Sequence, residues 1–152
     1  MEVQLNNRNE NVIKDLERLL ASSYTLYLKS HNYHWNVTGP MFTTLHTLFE
    51  TQYTDLALAV DEIAERIRTL GARAPGSYTE FAKLSDVEED TDSPSASAMV
   101  ENLVADQQTI AAIARDLIAA AEEVNDAATA DLATRRLDVH EKNAWMLRSH
   151  LE

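Results

Sequence analysis

Histidines and carboxylates recur at helical spacing in the first half of the chain. His46 and Glu50 lie four residues apart, and so do Asp61 and Glu65. Side chains at this spacing are neighbours on one helix face, so each pair could offer two ligands to one metal ion. Imidazole combined with carboxylate suits iron, zinc or manganese. Such pairs also occur on ordinary solvated surfaces, and the spacing alone leaves both interpretations open.

The two pairs cannot serve one ion within a single straight helix, because His46 and Asp61 are separated by about 22 Å of helix rise. They are, however, symmetric about a point between residues 55 and 56. An antiparallel copy of the helix centred there would set His46 opposite Glu65. The same copy would set Glu50 opposite Asp61. Since a two-fold interface repeats each contact, the spacing predicts two equivalent metal sites between two chains.

A third potential ligand lies in the stretch HNYHWN, residues 31–36, just before a Gly-Pro break. His34 extends the apolar face of its helix and could complete each site from the chain that supplies His46. His31 lies one turn earlier, where it could be a neighbour of the site or a transient ligand. Trp35 adjoins His34.

Two long helices are predicted to position these residues. The first covers about residues 9–34 and ends at Thr38-Gly39-Pro40. The second covers about residues 43–70, with Gly71 as its stop. Apolar residues at steps of three and four mark the second helix: Leu45, Phe49, Tyr53, Leu56, Val60, Ile63, Ile67 and Leu70.

A long connection, residues 71–93, follows the second helix, and residues 78–84 within it are predicted to form a short helix. The acidic run at residues 86–92 is expected to be a solvated loop. Asp92 or Ser93, followed by Pro94, predicts the start of a third helix that ends near residue 122.

The fourth helix is predicted to open at Asn125-Asp126 and to reach the C-terminus. Four helices joined through a long crossover predict an all-α four-helix bundle in one domain, residues 1–152. The 152 residues are 45% hydrophobic with only 3 Gly and 3 Pro, which fits long helices. His140 and Glu141, on this fourth helix, are expected at a surface or an interface.

Cysteine is absent, which excludes disulfides and thiolate chemistry and fits a cytoplasmic protein. The sequence has no run of 18 apolar residues, so no membrane span is predicted, and its first residues do not resemble a signal peptide. The net charge of −12 disfavours nucleic acid and anionic membranes and favours cations.

With these residues in view, the chain resembles the Dps proteins, the miniferritins of the ferritin-like superfamily. The resemblance is carried by HNYHWNVTGPMFTTLHTLFETQYTDLALAVDEIAERIRTLG, residues 31–71, and by HEKNAWMLRSHLE near the C-terminus. It implies a hollow homododecamer that oxidises Fe(II) with hydrogen peroxide, or more slowly with O2. It further implies that ferric oxide is stored in the cavity and that cells are thereby protected from oxidative damage.

Carried over residue by residue, the resemblance makes His34, His46 and Glu50 iron ligands from one subunit. It makes Asp61 and Glu65 ligands from the neighbouring subunit. Many family members have Asp where this chain has Glu50, which keeps a carboxylate on a longer side chain. For Trp35, beside His34, it implies an electron donor or radical trap, and plain packing at a dimer interface is the alternative. Acids near the start of the fourth helix often line three-fold pores in the family, which makes Asp126 and Asp131 the first candidates here and Glu122 a weaker one.

Three other functions compete with ferroxidase activity. Compaction of DNA needs several Lys or Arg residues, and residues 1–11 contain only Arg8. A conventional di-iron bundle uses Glu-x-x-His motifs, and this sequence has none. A helical interaction module without metal is the third, and it predicts that replacement of His46 or Asp61 leaves iron oxidation unchanged.

Overall fold

The computed structural model describes residues 8–152, and this part of the chain is helical without any β-strand. The helices are α1 (Glu10–Asn36), α2 (Phe42–Thr69), α3 (Tyr78–Leu84), α4 (Ala96–Glu123) and α5 (Ala127–Arg148). The predicted all-α class is confirmed, and so is the short helix, α3, inside the crossover. The absence of a signal peptide stays a prediction, because residues 1–7 lie outside the described residues.

The end of α2 has the local geometry that its sequence predicts. Gly71 adopts a φ of 94°, in the left-handed region that glycine tolerates best. Its N–H donates to the Arg68 carbonyl at 3.0 Å, and the N–H of Ala72 donates to the Ile67 carbonyl at 3.2 Å. These two bonds form a Schellman motif, which satisfies the last carbonyls of the helix.

The break between α4 and α5 uses asparagine in the same way. Asn125 has a φ of 58°, and its N–H donates to the Glu122 carbonyl at 3.1 Å. Asp126 then donates its N–H back to the Ala121 carbonyl at 2.9 Å, while its side chain accepts from the Thr129 N–H at 3.1 Å. Asp126 thus closes one helix and caps the next, which confirms the predicted boundary.

The predicted cap of α4 at Asp92 or Ser93 is wrong. The cap is Ser95, whose hydroxyl accepts a hydrogen bond from the Ala98 N–H at 3.2 Å. Pro94 disfavours helical geometry at the residue before it, and a second serine directly after the proline is free to cap. The helix therefore starts at Ala96, after the proline.

The bundle core lies between two helix pairs. In the first pair α1 packs against α2, in the second α4 packs against α5, and α1 also contacts α3 and α4. The fully buried side chains include Leu16, Leu19, Leu26, Phe49, Leu56, Ile63, Ile67, Leu103, Ile110, Ile113 and Leu117. The predicted stripe of α2 supplies four of them, while Tyr53 and Val60 are only partly buried. Within residues 8–152, no helix combines the length and apolarity needed to cross a bilayer.

His140 is buried inside the chain, which corrects its expected position at a surface or interface; Glu141 is exposed as expected. The Nδ1 atom of His140 lies 2.6 Å from the Gln107 side-chain oxygen, so Nδ1 carries the proton. Its Nε2 atom accepts from the Arg136 guanidinium at 3.2 Å, and Arg136 also pairs with Asp55 at 2.9 Å. Burial, together with the positive charge of Arg136, lowers the pKa of His140 to about 3.

We expect His140 to make folding sensitive to acid. Its pKa in the folded protein is far below the ordinary value of 6.5, so the unfolded chain binds the extra proton. The contribution of neutral His140 to the free energy of unfolding is fully present above pH 6.5, and it is lost as the pH falls towards about 3. In that window this group should lower the free energy of unfolding by up to ~1.4 kcal/mol per pH unit.

Urea unfolding of the His140→Gln variant, followed by circular dichroism across this pH range, measures the effect. The slope of stability against pH should become shallower in His140→Gln and stay unchanged in His150→Gln, which removes a partly exposed histidine near the C-terminus. Equal slopes in the His140→Gln variant and the unchanged protein would contradict the assignment.

Candidate metal centre

The turn between α1 and α2 brings His34 and His46 together. Helix α1 continues to Asn36, two residues beyond the predicted end, and α2 begins at Phe42. Gly39, with a φ of 106°, allows the chain to reverse between them. The two helices therefore lie antiparallel, with the last turn of one beside the first turn of the other.

The two imidazole rings are stacked, with centroids 3.7 Å apart and planes inclined by 12°. The Nδ1 atom of His34 lies 2.6 Å from the backbone oxygen of His46. Reciprocally, the Nδ1 atom of His46 lies 2.7 Å from the backbone oxygen of His34. Because a carbonyl only accepts hydrogen bonds, both Nδ1 atoms carry protons, and in the neutral ring this tautomer leaves the lone pair on Nε2. Among the described residues, neither Nε2 atom is engaged in a hydrogen bond.

Aromatic rings hold the two imidazoles in place. Phe42 stacks on His46 with ring centroids 4.9 Å apart. Tyr53 meets His34 edge to face at 5.3 Å. His34 itself is 8% exposed, whereas His46 is partly exposed. This packing fixes ring orientation, which a metal ligand needs if its lone pair is to point in a constant direction.

The three candidate carboxylate ligands of α2 are exposed and divide into two groups. Glu50 lies one helical turn beyond His46, on the half of α2 that carries the histidine. Asp61 and Glu65 lie on the opposite half of the helix. Within residues 8–152 no three His, Asp or Glu side chains converge as a metal-binding group. One chain thus brings the two histidines together, but it does not gather Glu50, Asp61 or Glu65 with them into one group.

Trp35 is 63% exposed and has no ring contact with His34 or His46 among the described residues. It stacks on His31, with ring centroids 5.0 Å apart and an interplanar angle of 5°. The His31 ring in turn lies 3.8 Å from that of Tyr53. Burial lowers the pKa of His31.

Sequence reasoning placed Tyr53 in the core stripe and missed its contact with the histidines. Its position seven residues after His46 indicates the same face of α2, two turns further on. That spacing was the only available sign, and it does not distinguish a core residue from a neighbour of the site.

The two acids expected at a pore have partners within the chain. Asp126 pairs with Arg66 at 2.9 Å besides capping α5. Burial opposes its ionisation, but the hydrogen bonds from Thr129 and the charge of Arg66 outweigh burial and lower the pKa of Asp126. Asp131 pairs with Arg135 at 3.1 Å. The pore assignment stays a prediction.

Residues 13–152 match the family model of the ferritin-like domain. A relative from Bacillus anthracis, DNA protection during starvation protein 2, is 36% identical over 143 residues, covering 94% of this chain and 98% of the relative. An uncharacterised low-temperature-induced protein of a Nostoc species is 43% identical and covers 95% of this chain and 82% of its own length. The crystal structure of a Dps protein from Vibrio cholerae, described as a member of the ferritin-like diiron-carboxylate superfamily, has a TM-score of 0.92. It is 35% identical and covers 97% of this chain and 92% of that one.

Proposed function

The chain belongs to the Dps family of ferritin-like proteins, and on that premise we propose that it oxidises Fe(II) with hydrogen peroxide at sites shared by two subunits. Iron storage and protection of DNA are functions of this family as a whole. We further propose a hollow homododecamer that holds the ferric oxide product, acting in the cytoplasm. Iron is both the substrate and the cargo of such a protein.

The reciprocal hydrogen bonds of His34 and His46 carry this proposal. These bonds hold the proton of each neutral ring on Nδ1. The lone pair of each ring then lies on Nε2, where it is available to bind Fe(II). A histidine pair that served only packing would not need the same tautomer in both rings. Glu50 adds an exposed carboxylate one turn away.

A second subunit supplies Asp61 and Glu65 in the proposed site. Both are exposed, and they lie on a face of α2 whose outward residues recur at steps of three and four: Thr47, Thr51, Thr54, Leu58, Asp61 and Glu65. Leu58 is 74% exposed, a large apolar side chain that a partner subunit would bury. In the antiparallel register centred between residues 55 and 56, this face packs against its own copy. The register sets each acid pair beside the histidine half of the other chain.

The ligand types suit the proposed reaction. Imidazole binds Fe(II) well, while the hard oxygens of carboxylates favour Fe(III), so oxidation strengthens the binding of the product to the acids. Few protein ligands leave coordination positions open to the oxidant. The acidic surface, −12 per chain, raises the local concentration of Fe(II).

Protection of DNA by this chain is proposed to act through removal of iron and peroxide. The relatives named for DNA protection do not by themselves give this chain a DNA-binding surface. A dodecamer of such chains would carry about −144 charges, which opposes contact with phosphates at neutral pH.

Anaerobic titration with Fe(II), followed by a pulse of hydrogen peroxide, tests the proposal by the ferric absorbance that develops. Asp61→Asn removes a ligand charge, and we expect it to slow Fe(III) formation by about 100-fold. Asp138→Asn removes the same charge from an exposed position on α5 and should oxidise iron at the original rate. Absence of peroxide-dependent oxidation in the unaltered protein would refute the proposed function.

A further inference from the structure

A pocket between α4 and α5 contains none of the candidate iron ligands. Its volume is about 310 Å³, and small-molecule sites usually measure about 300–1,000 Å³. Two buried side chains form its inner wall, and polar or charged side chains form its exposed mouth. These residues are Gln107 and His140 at the wall, and Gln108, Arg115, Glu141 and Arg148 at the mouth. We call this site the α4–α5 pocket.

Hydrogen bonds in the inner wall determine which atom of Gln107 is the donor. Arg136 is always charged and only donates, so the His140 Nε2 atom, 3.2 Å away, must accept. The Nδ1 atom of His140 therefore carries the proton and donates to the Gln107 side-chain oxygen at 2.6 Å. The amide nitrogen of Gln107 then occupies the other position of the amide group, where it can only donate.

The amide nitrogen of Gln107 is a buried donor without an acceptor. Gln107 is 0% exposed, and within residues 8–152 its Nε2 atom has no hydrogen-bond partner. A buried polar group that lacks a partner costs stability, and folded proteins satisfy nearly all such groups. Because Gln107 lines the α4–α5 pocket, a ligand there that accepts hydrogen bonds would satisfy it.

The mouth of the pocket carries an excess of positive charge. Arg115 pairs with Glu141 at 3.2 Å, whereas Arg148 is exposed and makes no salt bridge within residues 8–152. Two guanidinium groups thus face one carboxylate, in a chain whose net charge is −12. Guanidinium groups bind oxyanions through paired N–H donors, and these bonds are strengthened by charge. The pocket therefore favours an anion, although the chain as a whole repels anions.

We infer that the α4–α5 pocket binds a small inorganic oxyanion of the phosphate type, with Gln107 donating at the inner wall and Arg115 and Arg148 at the mouth. All three groups donate hydrogen bonds, and an oxyanion offers acceptors to each of them. A water molecule would satisfy Gln107 alone and would leave the two arginines without a role. This inference goes beyond the proposed function and does not depend on it, since no candidate iron ligand takes part.

Isothermal titration calorimetry of the iron-free assembly with inorganic phosphate tests the inference, at an ionic strength held constant with sodium chloride. We expect saturable binding of one phosphate per chain. Arg148→Gln removes a charged donor and should weaken phosphate binding about tenfold or more. Arg68→Gln removes the same charge from an exposed position at the end of α2, away from the pocket, and should bind phosphate like the unaltered protein.

Gln107→Glu tests the donor at the inner wall. Glutamate keeps an oxygen that accepts from His140, but it replaces the amide nitrogen with a second oxygen that repels phosphate, so binding should be lost. Circular dichroism checks that this variant folds. If it does not fold, the exposed variants Arg148→Gln and Arg115→Gln decide the question.

Three results would overturn the inference. The first is an absence of saturable phosphate binding by the unaltered protein, and the second is unchanged binding in Arg148→Gln. The third is an equal loss in Arg68→Gln, because overall charge and not the pocket would then determine binding. Each of these results leaves the proposed iron oxidation intact, since that reaction is measured separately with Fe(II) and peroxide.

Discussion

Co-expression of a His46→Ala chain with an Asp61→Ala chain is expected to restore iron oxidation that neither variant has alone. In the proposed site, His46 comes from one subunit and Asp61 from the other. A dimer with one chain of each kind therefore has one site carrying both lesions and one site carrying none. Restoration of activity by two inactive chains is the largest effect that the shared-site proposal predicts.

The expected size follows from random pairing of equally expressed chains. Half of the dimers then contain both kinds of chain, and each of these has one intact site of two, so about a quarter of all sites are intact. Peroxide-dependent Fe(III) formation, normalised to protein concentration, measures this fraction. Loss of activity in each variant alone provides the baseline.

Co-expression of Asp61→Ala with Glu65→Ala supplies the matched control. Asp61 and Glu65 come from the same chain in each proposed site, and every chain in this mixture lacks one of the two. Every site in every pairing therefore carries one lesion. This mixture should show no restoration. If the first mixture also stays inactive while iron oxidation in the unaltered protein is normal, the site does not combine residues of two chains in this way.

The helices of this protein could be predicted because their patterns are local. The stripe of α2 repeats at three and four residues, and Gly71 and Asn125 stop helices through backbone angles that their own chemistry favours. The start of α4 was predicted too early because two serines flank Pro94, and the sequence does not show which of them caps. Such errors of a few residues left the order of the helices intact.

Burial of His140 could not be predicted from hydrophobicity, although its spacing was informative. The buried positions of α5 recur at steps of three and four, but several of them are polar: Thr129, Arg136, His140 and Asn143. A stripe defined by apolar residues alone breaks at each of these positions. Polar side chains are tolerated there because Gln107 and Asp55, on other helices, satisfy His140 and Arg136, and these long-range partners are invisible in a local pattern.

For the candidate site, the sequence predicted the ligand types and their symmetry but not the state of the histidines. Spacing gives the direction of a side chain from its helix, and the turn at Gly39 brings His34 and His46 to the same end of the helix pair. The tautomer depends on which atom faces each Nδ1, and here it is a backbone carbonyl of the facing helix. That relation exists only once the two helices have packed.

Replacement of Lys29 is expected to destabilise the protein more than any exposed charge substitution. Lys29 is 8% exposed, and its ammonium group lies 2.8 Å from the Asp106 carboxylate. It also donates to the Glu88 carbonyl at 2.9 Å, so the acidic run 86–92, expected to be a solvated loop, is in part bound to α1. Burial raises the pKa of Asp106, and the positive charge of Lys29 opposes this.

The Lys29→Met variant leaves Asp106 buried without its cation and removes the donor to Glu88. Loss of one partner of a buried pair costs about 3–5 kcal/mol in the free energy of unfolding. Urea unfolding at a fixed protein concentration measures this cost, since assembly makes apparent stability depend on concentration. Arg115→Met breaks an ion pair with Glu141 in which both side chains are more than half exposed, and it should cost at most about 1 kcal/mol.

The double variant Lys29→Met/Asp106→Leu separates the effect of the buried charge from the loss of the bond to Glu88. With both charges removed, no uncompensated carboxylate remains in the interior, so most of the lost stability should return. What does not return measures the bond from Lys29 to Glu88, because that bond is absent from both variants. A double variant as unstable as Lys29→Met would mean that anchoring of the acidic run, and not the buried carboxylate, is the source of the loss.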